Sequence, residues 1–218
     1  MKLSFLPLLL LFFANSFAQK SASLQQYDKL VRFNFTSLLD PLETNLSLGF
    51  EYRLKNNTAV SLDVGYVFIS NTFNDNTLKA NGIVVRPAFR LYTGERKRFY
   101  IETEAHLKSV TTTIRDWISR GVENNVPNYQ EFTNFRIRKN VMGANFKIGY
   151  QARLSKDNKF WMEPYFGIGV KVRRTFLYKE PNSSYNFNEG FFNNNEQAGN
   201  KRIALPNFAF GTRFLIKI

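Results

Sequence analysis

The chain has 218 residues, 30 of them Lys or Arg and 17 Asp or Glu, giving a formal net charge of +13 at neutral pH and no cysteine at all. The missing cysteines exclude a disulfide scaffold, a thiolate zinc site, a cysteine nucleophile and a lipidated cysteine near the N-terminus. Such basicity often marks a nucleic-acid partner, but the first residues point elsewhere.

Lys2 precedes the apolar run Leu3–Phe13. That run is too short for a bilayer, which takes about 20 apolar residues. Ser16 and Ala18 are the small residues a signal peptidase reads, so residues 1–18 are expected to be a signal peptide and 19–218 a single exported domain. Removing Lys2 takes the charge from +13 to +12. With export, no nucleic acid is expected, and the anionic neighbour becomes a phosphate-rich lipid surface.

Beyond the signal, apolar residues recur at alternate positions, the period of strands with one apolar face. A hydropathy window averages this away, and mean hydropathy is −0.32. The first predicted strand, Leu30–Leu38, turns Val31, Phe33 and Phe35 one way and Arg32 the other. The second, Asn45–Leu54, sets Leu46, Leu48, Phe50 and Tyr52 against Glu51 and Arg53. The third, Ala59–Ile69, sets Val60, Leu62, Val64 and Tyr66 against Asp63. The fourth, Ile83–Tyr92, sets Val85, Phe89 and Leu91 against Arg86 and Arg90. The fifth, from Phe99 to about Thr112, sets Ile101, Ala105 and Leu107 against Glu102, Glu104, His106 and Lys108. The sixth, Asn140–Leu154, sets Met142, Phe146 and Ile148 against Lys147 and Arg153. The seventh, Phe160–Leu177, sets Met162, Phe166, Ile168 and Val170 against Glu163, Lys171 and Arg173. The eighth runs to Ile218, with Phe208, Phe210, Phe214 and Ile216 opposite Gly211, Arg213 and Lys217. Pro87 and Pro164 fall inside strands, where bulges are expected because proline cannot donate to a ladder.

Tight turns at Lys55–Thr58, Thr93–Lys97 and Ser155–Lys159 alternate with longer connections at Ser70–Asn81, Ile114–Asn134 and Tyr178–Arg202. Asp40-Pro41-Leu42-Glu43 is the one short link on the long-loop side. Eight amphipathic strands with this rhythm predict an all-β, eight-stranded antiparallel transmembrane up-and-down β-barrel, whose terminal strand closes on its first. Its charged faces point inward, where so narrow a bore forces charges to pair. A turn centred near Glu95 sets Arg86 across from Glu104. Basic residues outnumber acids on the inward face, so the excess should sit at the rims or meet an anion.

His106 is the sole histidine. A lipid-modifying barrel enzyme would need it as a base, but Ser109 lies three residues along the strand, on the opposite face. The expected role is therefore structural or surface-binding, not enzymatic, with no cofactor and no metal. A lipid A- or phospholipid-modifying enzyme and a narrow anion channel are the alternatives. The candidate recognition surface is a set of loop aromatics beside asparagines: Trp117, Tyr129, Tyr185, Phe187, Phe191 and Phe192.

The export signal, the opening Val31-Arg32-Phe33-Asn34-Phe35-Thr36-Ser37-Leu38-Leu39-Asp40-Pro41, the strand Leu48–Leu54 and the aromatic terminal strand resemble small outer-membrane β-barrel proteins of the Bacteroidota, of the OmpA/OmpX-like type. The resemblance covers most of the mature chain and rests on pattern. It implies outer-membrane localisation, contact with outer-membrane lipids and lipopolysaccharide, and insertion by the barrel-assembly machinery. Gly211, Phe214 and Ile216 fit that machinery's signal, whereas Ile218 stands where such barrels usually end on an aromatic, and Ala209 where the signal prefers a polar residue. The resemblance implies no substrate and no extracellular partner.

Overall fold

The computed structural model describes residues 29–40, 43–54, 57–70, 77–94, 98–124, 126–157, 159–188, 195–197 and 202–218. The expected signal peptide, Phe191 and Phe192 lie outside them. Eight strands dominate: β1 Lys29–Asn34, β2 Asn45–Arg53, β3 Thr58–Val67, β4 Thr77–Thr93, β5 Phe99–Arg120, β6 Tyr129–Tyr150, β7 Phe160–Leu177 and β8 Arg202–Lys217. Each pairs antiparallel with its sequence neighbour, and β8 also pairs with β1, so the up-and-down sheet closes into a ring of eight. The two ends of the described chain meet at the closure, where the Ile218 amide donates to the Lys29 carbonyl at 3.0 Å.

The turns at one rim are tight because residues of positive φ are placed there: Asn57 (φ 67°) and Gly94 (φ 79°). The opposite rim carries the longer connections. β1 is shorter than expected, since a 3-10 turn takes over at Phe35–Leu38. β4, β5 and β6 are much longer. Most of the Ile114–Asn134 segment expected as a loop is strand, and β5 and β6 pair from Phe99↔Tyr150 to Arg120↔Tyr129. Within Tyr178–Arg202, Ser183–Ser184 pairs onto β5, and Asn186–Asn188 pairs with Asn195–Gln197.

The prolines do not bulge. Val85↔Leu107 and Ala88↔Glu104 keep one register on either side of Pro87. Pro164 faces Thr212 in an unbroken β7/β8 register. On its other side the ladder skips Tyr150 and Gln151, after Gly149↔Tyr165, and resumes with Ala152↔Met162. Beside this gap the outer face has a cleft of about 630 Å³ lined by Phe99, Ile101, Ile148, Pro164 and Phe166. The bulge sits instead at Thr77/Lys79.

Two zones divide the wall. In the lower zone, nearer the tight turns, the outward positions are apolar and exposed, as with Phe146, Ile168 and Phe210, the last 73% exposed. The inward positions there are charged and buried. Higher up the sign reverses. Along β5 the inward residues become Val110, Ile114 and Ile118, all buried, and the outward ones Ser109, Thr111, Thr113 and Arg115. Along β6, Phe135, Ile137 and Val141 turn inward while Asn134, Arg136, Arg138 and Asn140 turn outward. Ser109 and Asn140 face each other at the crossover, and the Ser109 hydroxyl donates to Asn140 Oδ1 at 2.8 Å. Ile114, Ile118, Phe135 and Ile137 form a small apolar core there, of the ordinary inside-out kind.

Candidate functional site

Strand alternation brings the inward side chains of all eight strands to one level of the bore. Arg32, Arg90, Lys147 and Arg213 meet Glu51, Asp63, Glu102, Glu104 and Glu163, all buried. Arg53, at the turn-side edge of the cluster, balances the count through Glu51. Arg90 is the hub. It binds Glu163 through both terminal nitrogens (2.7 and 2.6 Å), Glu51 at 2.6 Å, and Glu102 through Nε. Arg213 donates to Glu163 at 3.0 Å, Glu102 at 3.1 Å and Glu104 at 3.3 Å. Arg32 takes Asp63 at 2.9 Å, and Lys147 takes Glu104. The fixed fork of arginine matches carboxylates two at a time, which suits it to a buried site.

Uncharged groups complete the cluster. Tyr92 donates to Glu51, and Gln151 Nε2 donates to Glu163 at 2.9 Å. Two tyrosine rings floor the guanidinium groups, Tyr100 under Arg90 at 4.2 Å and Tyr165 under Arg213 at 4.3 Å. Each ring lies over a glycine directly across the ladder, Gly149 for Tyr100 and Gly211 for Tyr165. A Cβ at Gly149 would come within 2.2 Å of the Tyr100 hydroxyl, and one at Gly211 within 2.8 Å of the Tyr165 hydroxyl. Gly211, expected from sequence as part of an assembly signal, thus has a packing role of its own.

A second cluster lies nearer the long-loop rim. Glu43, from the connection between β1 and β2, folds into the bore and pairs with both Lys108 and Lys139. Burial alone would raise its carboxyl pKa, but the two ammonium groups outweigh that and hold it down at about 2. With an unfolded value near 4.5, the stabilisation is whole above pH 4.5 and is lost as pH falls towards 2. Unfolding in urea between pH 5 and 2 should show about 3 kcal/mol more acid loss in the parent chain than in Glu43→Gln. Parallel curves for the two proteins would contradict the clasp.

Several sequence expectations are redrawn by these contacts. The connection between β4 and β5 is centred on residue 96, because Thr93 pairs with Phe99, so the expected Arg86–Glu104 partnership moves by two residues. Arg90 faces Glu102 and Ala88 faces Glu104. Arg86 approaches Ser47 Oγ at 3.4 Å. Arg153 is exposed beside the Ser155–Lys159 turn and stands outside the cluster. His106 faces inward among Arg86, Lys108, Lys147 and Lys171, and among the described residues it makes no hydrogen bond to a serine or carboxylate. Phe214 and Ile216 sit outward on β8, with Phe214 edge-on to Phe35 at 6.0 Å, and Ile218 is exposed at the chain's end. Glu43, Tyr92 and Gln151 were not legible. The first lies in a connection, and the other two sit at strand ends among apolar neighbours.

The aromatic candidates at the loop side divide. Trp117 and Tyr129 belong to β5 and β6, not to a loop, and both are exposed. Trp117 packs on Phe132 across the ladder, centroids 5.4 Å apart. Tyr185 turns inward, stacks edge-on with Phe135 at 4.8 Å and donates to Asp116 at 2.7 Å. Burial first, and the Asp116 carboxylate next, raise its phenol pKa well above the ordinary value. Phe187 lies in Asn186–Asn188, across from Glu196. Among the described residues no three His, Asp or Glu side chains come together to hold a metal ion. No helix there is long and apolar enough to cross a membrane, which says nothing of strands.

A family model described as "Protein of unknown function (DUF3575)" matches residues 8–206, nearly the whole chain. No curated protein and no solved structure matches it.

Proposed function

The chain belongs to that family, and we propose that it is an integral outer-membrane β-barrel whose wall spans the bilayer and whose long-loop side meets the environment. The observation that carries this reading is the reversal of polarity at Ser109 and Asn140. Water on both levels would favour the same sign throughout. Lipid below and water above favour apolar-out below and apolar-in above. On β5 the apolar-out stretch Phe99–Leu107 is nine residues long, close to the 9–11 that a tilted transmembrane strand requires, by rough count. Lower outward positions such as Phe208, Phe210 and Met142 would otherwise expose a patch far larger than soluble monomers tolerate.

The role is structural and surface-binding. The buried ion cluster fills the bore and stands against conduction, and the cationic surroundings of His106 stand against a triad-type enzyme. The recognition surface is the β5–β6 extension, through Trp117, Phe132 and Tyr129. The expected partners are lipopolysaccharide, outer-membrane lipids and the insertion machinery.

Refolded with lipid vesicles, the chain should float with them through a density gradient and migrate differently in electrophoresis before and after boiling. A chain that stays monomeric in detergent-free buffer and leaves vesicles behind would refute the reading.

A further inference from the structure

One concentration of positive charge lies above the polarity crossover, on the outside of the wall. The outward positions there are Lys79 on β4, Arg115 on β5, Arg136 and Arg138 on β6, Arg174 on β7 and Arg202 on β8. No acidic residue occupies an outward position on these five strands above the crossover among the described residues. The ladder aligns the cations closely. Lys79 and Arg136 both face Thr113, one from each side, and Arg174 faces Arg202 directly. Cations gathered on one face of a sheet repel one another, and a phosphate lying alongside would offset that. Some are held in place by their neighbours: Arg138 lies over the Tyr178 ring at 3.7 Å and donates to Thr111 at 3.1 Å. The whole collar begins where the apolar belt ends, as Arg174 follows Val172 on the outer face of β7 and Arg138 follows Met142 and Asn140 on that of β6.

We propose that this collar binds the phosphate groups of membrane lipids whose acyl chains lie against the belt below. The inference rests on the barrel reading and adds to it a lipid class, phosphomonoester-bearing headgroups, and a place on the wall. A free anion in solution has no reason to choose this face. A lipid brings its phosphate to the belt's edge on a tether, at high effective concentration.

The test uses full-length chain in vesicles. Met142 lies on the outer face at the top of the belt, two outward positions below Arg138, so Met142→Trp in a chain that also carries Trp117→Phe and Trp161→Phe sets a single tryptophan there. Its fluorescence is quenched with brominated phosphatidic acid or brominated phosphatidylcholine. The parent should prefer phosphatidic acid at least fivefold, and the fourfold variant K79Q/R115Q/R136Q/R202Q should bring that preference to about one, each cation contributing up to about fivefold. Equal quenching by both lipids, or a preference that survives the four substitutions, overturns the collar alone. Absence of quenching by either lipid, with the protein left in solution, overturns the barrel reading and the collar together. Millimolar inorganic phosphate should leave the preference intact, and its loss would reassign these residues to a free ion. If the variant inserts poorly, the single changes R115Q and R202Q should each lower the preference, and no change in both overturns the proposal.

Discussion

Arg90→Met should lower the free energy of unfolding by about 3–5 kcal/mol, read from the urea midpoint in detergent micelles. Methionine fills much of the space, so the loss is not a cavity effect. It comes from Glu51, Glu102 and Glu163, which share one guanidinium and are themselves fully buried. A carboxylate left in such a place must either find a proton or remain unpaired, and both are costly. The double change R90M/E163Q should recover part of the loss, because the two sites are directly coupled. A loss below about 1 kcal/mol in R90M would mean that water reaches the cluster and that the bore is not sealed.

Ile168→Arg should cost about 2–4 kcal/mol for the chain folded in a bilayer. Ile168 sits in the middle of the belt, facing Phe146 on one side and Phe208 on the other. It is 56% exposed, and on a water-facing surface such a change would stay within about 0.5 kcal/mol. Gln130→Arg, on the outer face of β6 above the crossover and across from Ser119, should be nearly neutral. The contrast between two surface arginines, measured by refolding into vesicles over a urea series, tests the medium and not the fold. Equal effects at the two sites would remove the main support for the barrel.

The belt was readable in the sequence because its strands keep one rule, apolar outward at every second residue and charge between. The eight strands and most of the inward charges followed from it. The upper parts of β4, β5 and β6 were lost because the rule changes sign there. Ile114 and Ile118 are four apart and share the inward face with Asp116, so they give neither the belt's pattern nor a clean strand of opposite phase. Arg86 was matched with the wrong carboxylate because a one-residue error in a turn's centre moves a cross-strand partner by two. Glu43 was hidden for a different reason. Its function depends on a short connection folding inward to Lys108 and Lys139, and no periodicity reports that.

The seam between β1 and β8 holds five paired positions, against twenty-two between β5 and β6. The long hairpin is local in sequence, while the seam joins Leu30 to Lys217 across almost the entire chain. Loop-closure entropy therefore favours a folding order in which the hairpin zips early and the seam is the last event. Arg213 meets Glu163 within the β7/β8 ladder, but its approach to Asp63 beyond the seam, and to Glu102 and Glu104 across the bore, is completed when the ring shuts. Stitching the ends together and completing the ion cluster are thus coupled, and an unfinished sheet would hold its adjacent-strand pairs while leaving the contacts across the bore unmade.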